Sequence, residues 1–110
     1  MGMPRRELPQ EWLEYTRMVG TNIQRARVRQ GYSQEQVAYA AGLSRYSLQL
    51  FERGWVSKDR PANPQLSSIM AIAQVLEVSL DELLPEKWPL LVQGEPVRQN
   101  QAAGGNKVRD

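Results

Sequence analysis

The sequence predicts an all-α fold of five helices. Three observations carry that reading. Apolar residues recur at helical spacing, and no stretch alternates like a strand over more than a few residues. Ser33 and Ser79 each precede a Gln or Glu by three positions, the arrangement in which a serine caps a helix start. Gly31, Gly42 and Gly54 fall just past the ends of apolar stripes, where a glycine can turn left-handed.

A first helix is expected from Gln10 to Gln30, with Trp12, Val19, Ile23 and Ala26 along one side. Ser33 opens a second helix with Gln36 completing the capping box; Val37, Ala38 and Ala41 face inward and Gly42 ends it. Ser44 caps a third, whose Leu48 and Phe51 have the spacing of a buried stripe and which stops at Gly54. Trp55 to Ala62 reads as a polar loop of mixed charge. Asn63 and Pro64 form a cap and first-turn pair for a fourth helix. There Leu66, Ile69, Met70, Ala73 and Leu76 follow a core rhythm. Ser79 and Glu82 cap a short fifth helix that Pro85 closes. Trp88 to Val92 is an apolar segment between prolines, and the Gln, Asn, Gly and Ala mixture beyond Arg98 reads as a disordered tail. Residues 1–16 are thus an N-terminal extension leading into the first helix, 17–85 a folded domain, and 86–110 an irregular C-terminal segment with its tail.

Composition excludes several classes of chemistry. A chain of 110 residues is a one-domain length. Without cysteine there is no disulfide and no thiolate metal site, which fits a reducing cytosol. Without histidine, zinc-ligand sets that need it and Ser-His-Asp catalysis are out. Met1 to Arg6 is basic but has no apolar stretch behind it, so it is not a signal peptide, and it lacks the hydroxyl that myristoylation needs. Apolar runs of about five residues fall far below the ~20 of a membrane span. The expectation is a cytoplasmic protein with no membrane, cofactor or metal. Glu11-x-x-Glu14 and Asp81-Glu82 are its paired carboxylates, and both read as helix-start acids facing the dipole, so no enzyme is expected.

The net charge of +2 hides an asymmetry. Between Arg17 and Arg60 eight basic side chains face three acidic ones, whereas between Pro61 and Val97 one lysine faces five acids. A basic half joined to an acidic half orients one side toward a polyanion.

The informative stretch is Ser33 to Gly54. Two helices crossing steeply through a short turn must approach closely, so a small residue is wanted at Ala38, and Gly42 tolerates the positive φ of the turn. With Leu48 and Phe51 anchoring the third helix, Arg45, Tyr46, Gln49, Leu50 and Arg53 are left outside. Such a polar face on a helix locked from behind suits reading of the DNA major groove. With Glu52-x-Gly54 in the same register, the stretch resembles the XRE family of helix-turn-helix proteins, the phage-repressor and Cro type. The resemblance covers about Val19 to Leu84, including Arg27-x-x-x-Gly31-x-Ser33-Gln34 and Val78-Ser79-Leu80-Asp81-Glu82-Leu83.

That resemblance implies a compact five-helix bundle of the phage-repressor type, acting as a homodimer on a pseudo-palindromic operator in double-stranded DNA. It implies a bacterial or phage transcriptional regulator, and a repressor in particular. It places Gln34 on a backbone phosphate with help from the helix dipole, and Ser44, Arg45, Tyr46 and Leu50 on bases or adjacent phosphates. Leu50 has two open readings, contact with a thymine methyl or packing under the long loop. Tyr46 likewise reads as a phosphate contact or a plain surface residue. Arg27 and Glu52 are assigned to each other as a partly buried ion pair. A rival from the interaction class is an antitoxin or protein-binding module on the same fold, with a protein partner.

The chain departs from the family pattern in three places. The Trp55–Ala62 loop is about six residues longer than usual and carries Lys58 and Arg60, so Lys58 joins the candidate DNA contacts, with folding of Trp55 and Val56 onto the core as the alternative. The N-terminal stretch adds Trp12, Leu13 and Tyr15. Trp88 to Val97 has no counterpart in the minimal fold. The last two have two open readings, packing within one chain or dimer contacts, and for a dimer the residues after Ser79 (Leu80, Leu83, Leu84, Trp88, Leu90 and Leu91) come ahead of the Trp12 region.

Overall fold

Capping chemistry sets where three of the helices begin. In a computed structural model describing residues 8–92 and 94, the elements run α1 (Gln10–Gln30), α2 (Gln34–Ala41), α3 (Arg45–Arg53), β1 (Trp55–Ser57), β2 (Arg60–Pro61), α4 (Leu66–Leu76) and α5 (Leu80–Leu83). At α2, the Gln36 amide donates to Ser33 Oγ at 3.0 Å and the Ser33 amide to Gln36 Oε1 at 2.8 Å. At α3, the Ser47 amide donates to Ser44 Oγ at 3.0 Å. At α5 the same reciprocal pair joins Ser79 and Glu82 at 3.3 and 3.2 Å. Each satisfies amides that a helix start leaves without a partner.

The apolar stripes then converge. Ile23 of α1, Val37 of α2, Leu48 of α3, Ile72 and Leu76 of α4 and Leu83 of α5 are fully buried in one core. Each such side chain contributes about 1.5–3 kcal/mol of hydrophobic stabilisation, so every helix is tied to the centre. Side chains of α1 also close helix ends: Asn22 Nδ2 donates to the Leu83 carbonyl at 3.1 Å and Gln30 Nε2 to that of Leu76 at 2.7 Å. Near the start of α1, Trp12 stacks on Tyr15 with ring centroids 5.5 Å apart. The Tyr15 hydroxyl donates to the Pro85 carbonyl at 3.2 Å, and burial raises its pKa above the ordinary value.

Helices α1 and α3 cross closely, and two glycines permit it. A Cβ on Gly20 would lie 2.3 Å from the Glu52 carbonyl oxygen and 2.5 Å from that of Phe51. A Cβ on Gly54, which turns left-handed at φ 90°, would lie 2.5 Å from Arg17 Cα. Thr16 Oγ1 donates to the Gly54 carbonyl at 2.7 Å, so α3 is pinned at its C-terminal end as well.

Three sequence expectations need correction. The stretch expected as a loop forms an antiparallel hairpin, β1 with β2, whose two short strands are too brief to show alternation. Helix α4 opens at Leu66 behind Gln65, two residues later than the Asn63–Pro64 pair suggested, and no side chain caps it. The Ala62 amide bonds back to Gly54 across the hairpin base, and the residue before a proline is biased toward extended backbone. Leu66 and Met70, expected in the core, are exposed, and the core face of α4 is Ile69, Ile72, Ala73 and Leu76. Among the described residues no helix is long and apolar enough to cross a membrane. The tail beyond Arg98 lies outside the described residues.

Candidate nucleic-acid interface

Helix α3 has two unlike faces. Leu48 and Glu52 are buried against the bundle and Phe51 is half-buried, whereas Arg45, Tyr46, Gln49 and Arg53 are exposed. Tyr46, Gln49 and Arg53 follow one another at i, i+3 and i+7, so they share a side of the helix. Ser44, at the N-cap, donates its hydroxyl to Ser47 Oγ at 3.0 Å while accepting from the Ser47 amide. Leu50 is half-buried.

Behind this face lies a polar cluster centred on Glu52. Arg27 Nε donates to Glu52 Oε2 at 2.6 Å and Nη2 to Oε1 at 3.0 Å, a two-pronged pair with both side chains largely out of water. The third prong, Nη1, donates to the Tyr32 carbonyl at 3.0 Å. The hydrogen bond to Glu52 holds the Arg27 pKa above its ordinary value, against the lowering effect of burial. Arg27 therefore ties α1 to α3. Gln34, the first residue of α2, enters the same cluster: its Nε2 donates to Glu52 Oε1 at 3.0 Å, and Gln49 Nε2 reaches Gln34 Oε1 at 3.5 Å. An amide nitrogen carries two N–H groups, so one N–H of Gln34 has no partner among the described residues.

A family model for the helix-turn-helix matches residues 23–83, more than half of the chain. The chain belongs to the XRE family of helix-turn-helix DNA-binding proteins. Solved structures agree. The restriction-modification controller protein C.AhdI from Aeromonas hydrophila is 30% identical with a TM-score of 0.55, over 63% of this chain and 96% of that one. The N-terminal DNA-binding domain of SinR from Bacillus subtilis is 32% identical with a TM-score of 0.56, over 64% and 96%. A hypothetical transcription factor, NHTF from Neisseria, is 30% identical with a TM-score of 0.56, over 76% and 87%. No curated protein sequence matches the chain. The family and these neighbours make the protein a DNA-binding transcription regulator.

Not every residue of the expected DNA-binding set of this XRE-family regulator is free. Ser44, Arg45, Tyr46 and Gln49 gather around the N-terminal half of α3, with Gln34 beside them through its contact with Gln49. Arg53 is engaged instead within the chain. Its Nε donates to the Trp55 carbonyl at 3.0 Å, its Nη2 to that of Val56 at 3.3 Å, and its guanidinium lies 4.1 Å from the Trp55 ring centroid. Lys58 stands apart from the helix, exposed in the turn of the hairpin. Arg60, exposed at the start of β2, and Trp55, the platform for Arg53, are absent from the expected set. The charge of the long loop marked Arg60 beside Lys58, whereas no sequence signal marks Trp55 as a platform, because an Arg-x-Trp stretch has no periodicity of its own. Among the described residues no group of three or more Asp or Glu side chains is placed to hold a metal ion.

Proposed function

We propose that this regulator is a homodimeric repressor that occupies a pseudo-palindromic operator and acts by occupancy alone. The observation that carries the reading is the N-terminal half of α3. There Arg45 and Tyr46 are exposed, with no intramolecular hydrogen bond or ion pair among the described residues, on a helix whose opposite face is locked by Leu48 and Glu52. Entering the major groove by that end, Arg45 is positioned to pair with the O6 and N7 of a guanine, the commonest specific contact there. Gln49 and Leu50 follow along the groove, while the free N–H of Gln34 and the hydroxyls of Ser44 and Tyr46 suit flanking phosphates.

One helix-turn-helix offers few base contacts, and specific sites usually need affinities of about 10⁻⁸ M or tighter. Two-fold pairing supplies a second half-site about 34 Å away. An apolar surface available for pairing runs from α5 into the segment after it, where Leu80 and Leu84 are half-buried and Trp88 and Leu90 are 75% and 76% exposed. Leu83, expected on that surface, is instead buried within its own chain.

The test is selection of bound sequences from random DNA, followed by titration of the selected site at several salt concentrations and sedimentation with and without it. The expected result is an inverted repeat bound by two chains, with log K falling about 0.9 per phosphate neutralised as log salt rises. Selection of no sequence, or affinity indifferent to salt, would remove DNA as the ligand. A single half-site bound by one chain would remove the dimer, and a dimer left intact by Trp88→Ser with Leu90→Ser would remove this segment as its pairing surface.

A further inference from the structure

The geometry points to the β1–β2 hairpin as a second DNA contact, a wing that grips the sugar-phosphate backbone beside the site read by α3, with Arg53 and Trp55 as the latch that aims it. This rests on the reading of α3 as the groove-entering helix.

The placement follows from Arg53. Its side chain leaves α3 on the side shared with Tyr46 and Gln49, and its guanidinium reaches the carbonyls of Trp55 and Val56. Strand β1 therefore borders the reading side of α3 at its C-terminal end, while the hairpin is also seated on α1. A recognition helix that enters the groove by its N-terminal end leads out toward the backbone at its other end. The hairpin borders that backbone.

Three features make the hairpin a fixed arm rather than a loose loop. The guanidinium stacks on Trp55 while making two hydrogen bonds, which uses the planar fork of arginine in a way a lysine cannot reproduce. The root is held on α1, where Thr16 bonds the Gly54 carbonyl and Gly54 packs against Arg17. The base is closed by the Ala62 amide donating to Gly54 at 3.0 Å. Three strand residues carry the turn about 10 Å from that root.

The far end has the chemistry of a phosphate contact. Lys58 and Arg60 are exposed there, with Asp59 between them and Ser57 opposite Arg60. The exposed side chains at this far end offer a polyanion two cations, one hydroxyl and one repelling carboxylate, with no apolar or amide group among them. The arm's contribution is therefore to affinity and register on the duplex, not to sequence choice.

The experiment is hydroxyl-radical footprinting and salt-dependent titration of the full chain on its selected site. Lys58→Ala with Arg60→Ala should erase backbone protection at the flank and reduce the salt slope by about one unit for each phosphate no longer neutralised. It should weaken all sequences alike, about tenfold, with protection under α3 unchanged. Asp59→Asn should tighten binding to all sequences. Arg53→Lys keeps the charge but breaks the fork and the stack; loss of flank protection identifies Arg53 as a positioning residue. Retained flank protection in Arg53→Lys overturns the latch. An unchanged slope in the double variant, or no flank protection in the parent chain, overturns the wing while leaving the α3 footprint as proof of the groove reading. Absence of any footprint on any selected DNA removes that reading, and the wing with it.

Discussion

Arg45 and Arg53 stand at opposite ends of α3, both exposed, and their guanidinium groups meet quite different surroundings. Arg45 has no hydrogen bond or ion pair among the described residues. Arg53 is held by two carbonyls and an indole ring. The division extends along the helix. In the C-terminal half Glu52 is enclosed by Arg27 and Gln34, whereas in the N-terminal half Tyr46 protrudes freely and the Ser44 hydroxyl caps the helix. A single helix thus has one end holding the bundle and the hairpin, and the other with Arg45 and Tyr46 unengaged among the described residues. Residue type does not separate the two uses; a nearby partner does.

The division has measurable consequences, and the largest lies at the structural end. Glu52→Ala would leave Arg27 charged and partly buried without its acceptor, a loss of about 3 kcal/mol of stability. Thermal melting of the single variant beside Arg27→Ala with Glu52→Ala would show the double variant recovering part of the loss. A single variant that melts like the parent would mean the pair is idle.

Arg45→Ala should behave in the opposite way. Its melting point should stay within the range of the parent, while affinity for the selected operator falls by about 1–3 kcal/mol and preference relaxes at one base pair in each half-site. Competition binding against operators altered at each position is the measurement. A stability loss without a change of preference would place Arg45 with the structural half.

Gln34→Ala probes the border between the two. It removes one donor from Glu52, which still has Arg27, so stability should drop by about 1 kcal/mol. Affinity should fall on all sequences alike, because the remaining N–H is assigned to a phosphate rather than a base. Melting and titration on two unrelated DNA sequences separate the effects. A stability change with no binding change would make Gln34 purely a partner of Glu52.

The smallest effect is a control away from α3. Burial raises the Tyr15 pKa, so below the ordinary value of 10.0 its phenol is neutral in both folded and unfolded chains and its contribution is complete. As pH rises past that value the unfolded chain loses its proton first, and stability declines until the raised folded pKa is passed. Melting between about pH 8 and 11 should show that decline in the parent and a flatter limb in Tyr15→Phe, which starts lower for want of the Pro85 hydrogen bond. An equally steep limb in both would assign the alkaline loss to other groups.

What could be read without coordinates was local. The serine caps of α2, α3 and α5 were legible because a cap reaches only three residues along the chain. The span of α1 and the buried Ile23, Val37 and Leu48 were legible because burial repeats with the helical period. The stripe failed at Leu66 and Met70, since an apolar side chain at the stripe's edge looks the same whether or not a neighbour covers it. The Arg27–Glu52 pairing came from family resemblance, and the spacing of 25 residues between them carries no signal of its own.

The rest depended on how separate segments meet in space. Gly20 reads as a flaw inside a helix until α3 is laid across it, when it becomes the position that admits the Glu52 backbone. The hairpin exists through pairing of Trp55 with Pro61, between strands too short for a repeating pattern. Arg53 is engaged within the chain because β1 brings the carbonyls of Trp55 and Val56 within reach of its fork. Caps and stripes act over one or two turns of chain and so are written in the order of residues. Close crossings, side-chain bridges and strand pairs act between surfaces that only folding brings together.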